Sequence, residues 1–134
     1  MVQHIFRLYD IRGKYPGEID REAAERIAYA CGRALAGSFV VARDARRGSV
    51  ELLEAVVKGL RRTAVRRIVN VGLATTPMFY FFVNVERAAG GIMVTASHNP
   101  KEWNGLKVVG RKARMVGGHA VLKFVKRYVY EKEQ

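Results

Sequence analysis

The sequence predicts an α/β fold, a three-layer α/β/α sandwich around a mixed, mostly parallel sheet of about four strands. Three short apolar segments, FVVA, IVNV and GIMV, are typical of parallel strands that are buried on both faces. Segments of about ten or more residues with apolar side chains at helical spacing lie between them. This alternation favours an open sheet with helices on both faces.

The N-terminal part of the chain begins with residues 4–12, which favour β-structure. The segment KYPGE (14–18) follows and contains the Pro and Gly of a turn. Asp20 is placed to cap a first helix, because apolar residues recur at helical intervals after it. Residues 39–43 form a short buried strand, and Ser49 is placed to cap a second helix.

The C-terminal part continues the alternation with a strand at 67–73 and a third helix opened by TTP at 75–77. A third strand (90–96) is followed by the loop SHNPKEWNG and by a fourth strand, 105–110. That loop is too short for a crossover helix, so the fourth strand should run antiparallel to the third. A final helix is predicted over about 118–131.

Length and composition predict a single domain over residues 1–134. About half of the residues (49%) are apolar, which excludes intrinsic disorder. Cys31 is the only cysteine, so no intramolecular disulfide is possible, and its helical context predicts a buried, inert thiol. No apolar run approaches the ~20 residues of a membrane span. The N-terminus lacks a signal-peptide pattern, so we expect a complete cytoplasmic protein without membrane partners.

The formal net charge of +12 leaves several partners open. A basic excess attracts nucleic acid, anionic lipid and phosphorylated small molecules alike, and it is also found on solvated helix ends. The basic residues are spread along the chain, and no recognised nucleic-acid motif or aromatic-interleaved basic stripe is present. These observations make nucleic acid the less favoured partner, and charge alone does not decide among the others.

The loop after the third strand carries groups that bind oxyanions: Thr95, Ser97, His98 and Asn99, with Lys107 on the next strand. Ligands of open α/β sheets gather at the carboxyl ends of strands, where this loop lies. From the residues alone, Ser97 is a nucleophile, a phosphate carrier or a turn cap. The sequence contains no P-loop, GxGxxG or HExxH motif and no acidic cluster suited to Mg²⁺.

Four segments in order resemble the α-D-phosphohexomutases, the superfamily of phosphoglucomutase, phosphomannomutase and phosphoglucosamine mutase. They are FRLYDIRG (6–13), ARDARRGS (42–49), IVNVGLATTP and, above all, GGIMVTASHNPKEWNGLKV (90–108). The resemblance extends from about residue 5 to about residue 130. It corresponds to the first of that family's four domains, and one departure is Ala42, where the family usually has Gly.

The resemblance implies a catalytic phosphoserine loop at 94–100. In the family, the serine of TASHNP donates its phosphoryl group to a hexose monophosphate and then takes one back from the bisphosphate. By this match Ser97 is the phosphoserine and His98 a catalytic neighbour, while Thr95 and Asn99 shape the loop and bind phosphate.

The other segments imply three further site residues. Arg12, in YDIRG, matches an arginine that binds phosphoryl oxygens with its planar fork. Tyr9 matches a tyrosine that contacts the substrate. Lys107, in NGLK, matches a lysine that assists proton transfer or stabilises charge. For each of them, the alternative is an ordinary surface cation or a packing side chain.

The resemblance also implies Mg²⁺, held in the family by the phosphoserine and by an acidic DGDxDR-type loop of the second domain. Here only Ser97, through its phosphate, matches that metal site. The family's third and fourth domains supply sugar recognition and a further phosphate-binding loop. The sequence contains none of these three domains, so Mg²⁺ binding should be weak or absent in the isolated chain.

Three hypotheses follow. The first is a phosphohexomutase component that is inactive alone and needs the missing domains from a partner chain, with a homo-oligomer as the other way to cover exposed surface. The second is a regulatory protein that binds sugar phosphate or a phosphoryl group without catalysis. The third, less favoured, is a nucleic-acid or other anion-binding protein.

Overall fold

A mixed sheet of six strands forms the middle layer of the protein in the computed structural model, which describes residues 1–130. In chain order the strands are β1 (Ile11–Lys14), β2 (Ser38–Arg43), β3 (Arg67–Leu73), β4 (Gly90–Val94), β5 (Trp103–Gly110) and β6 (Met115–Val116). The helices are α1 (Arg21–Ala34), α2 (Ser49–Arg61), α3 (Thr76–Val85) and α4 (Gly118–Val125).

The strand order β1-β5-β4-β2-β3 combines parallel and antiparallel pairs. β2 lies between β3 and β4 and is parallel to both. β5 is antiparallel to β4, as its short connecting loop predicts, and also to β1 and β6. The predicted α/β/α sandwich with a mixed sheet is therefore confirmed.

The sheet has six strands rather than the expected four or so, because two short pairings were not visible in the sequence. β-structure was expected over 4–12, but a 3₁₀ turn at Gln3–Ile5 overlaps the start of this segment, and β1 begins only at Ile11. β1 is defined by its pairing with distant β5. β6 has only two residues, too few to produce a periodic pattern.

One of the two predicted helix caps, Asp20, is present, and Thr75 forms a further cap at the start of α3. Asp20 accepts a hydrogen bond from Ala23 N at 2.9 Å, and Thr75 accepts one from Met78 N at 3.2 Å. The prediction that Ser49 caps α2 was wrong. Gly48 occupies the cap position with φ 85°, and Ser49 is the first helical residue, with its hydroxyl bonded to Asp44.

The predicted last helix is present: α4 ends at Val125 and is followed directly by a π-helical segment over Lys126–Tyr130. The predicted end, near residue 131, lies outside the described residues.

Helices cover the two faces of the sheet unequally. α1, α2 and α4 pack on one face, with a core that includes Ile27, Phe39, Leu52, Leu106 and Val121. α3 packs on the other face around Phe79, Val83 and Met93. Among residues 1–130, no helix is long and apolar enough to cross a membrane.

Gly59 allows α1 and α2 to pack closely. A Cβ at this position would lie 2.2 Å from the backbone oxygen of Glu25 in α1. We expect Gly59→Ala to lower the free energy of unfolding by about 2 kcal/mol, since the clash exceeds the ~1 kcal/mol gained in helix propensity. Gly17→Ala is the control, because no atom lies within 4 Å of its added Cβ. Denaturant unfolding that shows equal stability for both variants would contradict this packing.

Cys31 is fully buried, and burial raises the pKa of its thiol to about 12. We expect no reaction with a disulfide reagent in the native protein at mildly alkaline pH, and prompt reaction in denaturant. The fold favours the protonated thiol, so this group should reduce stability as the pH rises above 9.0, the ordinary pKa of a cysteine thiol. Rapid labelling of the native protein would show that the thiol is accessible.

Candidate functional site

The candidate site lies at the edge of the sheet where parallel strands β2, β3 and β4 all end. Arg43 pairs with both Leu73 and Val94, so the three strand ends lie side by side. Backbone hydrogen bonds continue to join the neighbouring segments just beyond the strands: Asp44 N donates to Val94 O, and Ala74 N donates to Arg43 O, both at 3.0 Å. Three loops therefore meet at the place where open α/β sheets bind ligands.

The loop after β4 has a defined backbone shape built from two tight turns. In the first, Asn99 N donates to Ala96 O at 3.1 Å, and in the second, Trp103 N donates to Pro100 O at 3.0 Å. The buried side chain of Thr95 accepts a hydrogen bond from Ser97 N at 3.0 Å. The loop is thus held by its own polar groups.

Ser97 lies at the exposed tip of this loop with φ 56°. That left-handed conformation costs a residue with a side chain about 1–2 kcal/mol. A strained backbone at a solvent-exposed hydroxyl, fixed by surrounding hydrogen bonds, is a recurrent property of functional sites. The neighbouring His98 is also exposed, while Asn99 is half-buried and donates from Nδ2 to Ala96 O at 2.8 Å.

Arg46, from the loop after β2, lies inside the curve of the Ser97 loop. Its guanidinium donates to four backbone carbonyls of that loop: those of Ser97 (2.7 Å), Asn99 (2.6 Å), Pro100 (2.8 Å) and Trp103 (3.3 Å). Its side chain is only 15% exposed. Arg46 therefore joins both turns of the loop to the body of the domain.

A buried polar network supports Arg46 from below. Asp44 Oδ2 lies 3.5 Å from Arg46 Nε, and Asp44 Oδ1 accepts from Ser49 Oγ at 2.7 Å. Ser49 Oγ in turn accepts from Asn104 Nδ2 at 3.0 Å, and Asn104 Nδ2 also donates to Arg47 O at 3.0 Å. Ser49 and Asn104 are fully buried, so this network fixes the start of α2 against β5.

The pairing of β1 with β5 places Arg12 near the site. Arg12 pairs with Gly105, which accepts from Thr95 N at 2.9 Å on the opposite side. At a spacing of about 4.8 Å between strands, the Arg12 and Thr95 backbones are roughly 10 Å apart. Gly105 is required there, since a Cβ would lie 2.1 Å from Ile11 O.

The guanidinium of Arg12 is oriented by the buried carboxylate of Asp10. Arg12 Nε donates to Asp10 Oδ1 at 2.9 Å, and Nη2 donates to Asp10 Oδ2 at 2.5 Å. Nη1 has no hydrogen-bond partner among residues 1–130. One edge of the fork is therefore occupied, and the Nη1 side is free to bind an oxyanion.

Lys107 and Tyr9 occupy different surroundings. Lys107 lies two residues after Gly105, the pairing partner of Arg12, and therefore projects from the same face of the sheet as Arg12. Its Nζ lies 3.3 Å from Tyr80 Oη. Tyr9 is 62% exposed in the turn before β1, where Arg7 N donates to Asp10 O at 2.8 Å. The structure thus joins Thr95, Ser97 and Asn99 in one loop and Arg12 and Lys107 on one face, with Tyr9 outside both groups.

Sequence reasoning missed the supporting network of Asp44, Arg46, Ser49 and Asn104. The available signal was the dense polar segment ARDARRGS directly after a buried strand. The charge of this segment is visible in the sequence, but the groups that it contacts, such as the Ser97 carbonyl and the Asn104 amide, lie more than 50 positions away along the chain.

Residues 1–130 contain no group of three or more His, Cys, Asp or Glu side chains that could hold a metal ion. The carboxylate below the loop, Asp44, already faces Arg46 and Ser49. A phosphate on Ser97 would add oxygen ligands, but Mg²⁺ needs near-octahedral oxygen coordination. The described residues therefore do not by themselves fit a resident Mg²⁺.

This fold and site define a class of protein: an α/β/α domain with a hydrogen-bonded, serine-bearing loop at the carboxyl ends of its parallel strands. A family model described as phosphoglucomutase/phosphomannomutase, alpha/beta/alpha domain I, matches residues 3–133. The chain belongs to this family, as its sequence motifs predict.

Individual proteins that are similar to this chain have names from the same family. The chain is 43% identical over 112 residues to a protein named "Phosphohexose mutases" from Xanthomonas campestris, covering 83% of this chain and 25% of that protein. It is 37% identical over 129 residues to a Klebsiella pneumoniae phosphomannomutase, covering 96% of this chain and 82% of that protein. A phosphoglucomutase/phosphomannomutase family structure from Burkholderia thailandensis superimposes with a TM-score of 0.89 at 34% identity, covering 98% of this chain and 31% of that one. The chain thus spans about a quarter of the length of the Xanthomonas relative.

A substitution at Asn104 tests the buried network. Asn104→Asp replaces the donor to Ser49 and Arg47 O with a buried carboxylate in a network that already contains the Asp44 carboxylate. We expect a loss of about 2–4 kcal/mol in unfolding free energy near pH 7. The loss should be smaller near pH 4, because burial raises the pKa of a carboxyl group and its protonated form can donate.

The matched control is Asn84→Asp, an exposed position at the end of α3, where a change below about 1 kcal/mol is expected. Denaturant unfolding of both variants at the two pH values measures the difference. Equal losses for the two variants, or a loss at Asn104 that does not depend on pH, would contradict the network.

Proposed function

We propose that this chain is the phosphoserine-bearing domain of a phosphohexomutase, and that residues 1–134 act as one domain. The observation that carries the proposal is the loop itself. The Ser97 hydroxyl is exposed at φ 56°, while the backbone around it is fixed by Thr95 and Arg46. A phosphoryl carrier requires this combination, because phosphoryl transfer depends on positioning and on charge stabilisation.

In the proposed reaction, a hexose hydroxyl attacks the phosphorus of phosphorylated Ser97. The new O–P bond forms to the sugar oxygen, the Oγ–P bond breaks, and the hydroxyl proton passes to a base. The bisphosphate then returns its other phosphoryl group to Ser97 Oγ by the reverse bond changes. Lys107 and His98 are the proposed groups for proton transfer or charge stabilisation at this step.

The remaining residues bind and orient the phosphoryl groups. Arg12 offers its Nη1 side to phosphate oxygens, while Asp10 fixes the plane of its guanidinium. Thr95 and Asn99 keep the loop in shape, and Tyr9 is proposed to contact the sugar. Mg²⁺, when bound, would neutralise charge on the phosphoryl group, with the Ser97 phosphate as its ligand from this chain.

We propose that isomerisation requires further domains in addition to this chain. The chain spans 25% of the Xanthomonas relative, and its described residues lack the further ligands of a metal ion. We propose that the other domains, from a partner chain or another part of a longer protein, supply sugar orientation and complete the metal site. The isolated chain should accept a phosphoryl group without interconverting hexose 1- and 6-phosphates.

The test is incubation of the chain with glucose 1,6-bisphosphate and Mg²⁺, followed by mass spectrometry of the loop peptide. We expect phosphate on Ser97 and none on Ser97→Ala. Ser38→Ala is the control, since Ser38 lies at the start of β2, the opposite end from the site, and should leave phosphorylation unchanged. A coupled assay for glucose and mannose phosphates should show no turnover above the Ser97→Ala background.

Three results would contradict the proposal or a part of it. Absence of phosphate on Ser97 would remove its role as a carrier. Turnover by the isolated chain that disappears in Ser97→Ala would show that the other domains are unnecessary. Phosphorylation without activity, even when a partner with the remaining domains is present, would favour a regulatory protein.

A further inference from the structure

The four backbone carbonyls that Arg46 binds all point toward its guanidinium. They belong to both turns of the loop. Four converging carbonyl dipoles repel one another unless a cation lies between them. A planar guanidinium has paired donors on two nitrogens and can satisfy all four, whereas the ammonium of lysine has only three donors.

The donors of Arg46 are all directed to protein acceptors. The Nη1 and Nη2 groups are used by the loop, and Nε faces Asp44 Oδ2 at 3.5 Å. Arg46 therefore has no N–H group left for a substrate phosphate. This distinguishes it from Arg12, which keeps a free Nη1 among the described residues.

The carbonyl direction also sets the direction of the amides. In a planar trans peptide, the N–H points opposite to the C=O of the preceding residue. Because the carbonyls of Ser97 and Pro100 face Arg46, the amides of His98 and Lys101 point to the outer side of the loop. Outward amides beside an exposed serine are suitable donors for phosphoryl oxygens.

We infer that Arg46 is a positioning residue for the Ser97 loop, which turns the loop carbonyls inward and so fixes the serine and the outward amides for phosphoryl transfer. Its role in transfer rests on the proposed function, whereas its role in loop order does not. Arg46 acts through the backbone, so it should change the rate of transfer and not the affinity for the phosphoryl donor.

The first measurement is amide hydrogen exchange of residues 97–103 in Arg46→Lys, which keeps the charge and loses the planar fork. We expect exchange in this loop to become about tenfold faster or more, with the sheet amides unchanged. Arg47→Lys is the matched control, because Arg47 is the adjacent, exposed arginine. If Arg46→Lys does not fold, Asp44→Asn removes the charge facing Nε and should speed exchange of the same amides by a smaller factor.

The second measurement follows Ser97 phosphorylation by glucose 1,6-bisphosphate over time in the same proteins. Arg46→Lys should lower the saturating rate by about 10- to 100-fold and leave the half-saturating concentration unchanged. A merely smaller folded fraction would instead lower the final extent of phosphorylation at an unchanged rate.

The two measurements distinguish the role of Arg46 in ordering the loop from its role in phosphoryl transfer. Unchanged loop exchange in a folded Arg46→Lys or Asp44→Asn variant would overturn the inference, even if the wild-type chain is phosphorylated. Faster exchange in a wild-type chain that takes up no phosphoryl group would support the loop role of Arg46 and contradict the proposed function.

Discussion

The contact between the Arg46 guanidinium and four loop carbonyls is the interaction on which the candidate site depends. Without a cation at this position, the two turns around Ser97 would bring their carbonyl dipoles together with nothing to balance them. Charge-assisted hydrogen bonds are roughly twice as strong as neutral ones, so four of them can hold a backbone conformation that is locally unfavourable. The exposed Ser97 is thus supported by a largely buried arginine whose side-chain N–H groups all face protein acceptors.

The sheet places the other groups around this loop. Parallel β2 and β4 bring the Arg46 loop beside the Ser97 loop, and antiparallel β5 returns the chain so that Gly105 lies between Thr95 and Arg12. A side chain at Gly105 would push β1 away from the site. The position of the Arg12 fork therefore depends on a close backbone contact between β1 and β5 at Gly105.

The sequence was most informative where structure depends on neighbours along the chain. The apolar segments, the Asp20 cap and the short loop before β5 predicted the sandwich and the direction of its strands, and the motif around Ser97 predicted the family. It was least informative where partners are distant. The short strand β1, the contacts of Arg46 and those of Asn104 depend on pairings across 50 or more residues, which periodicity does not report.

The hydrogen bonds of the Ser97 loop imply that it is already formed in this chain before phosphate or any further domain is bound. Amide ¹⁵N relaxation of residues 95–103 in the unphosphorylated chain measures this order. We expect order parameters near 0.85, equal to those of β4 and β5. Values below about 0.6, confined to this loop, would show that it is flexible on the ps–ns timescale and would contradict the claim.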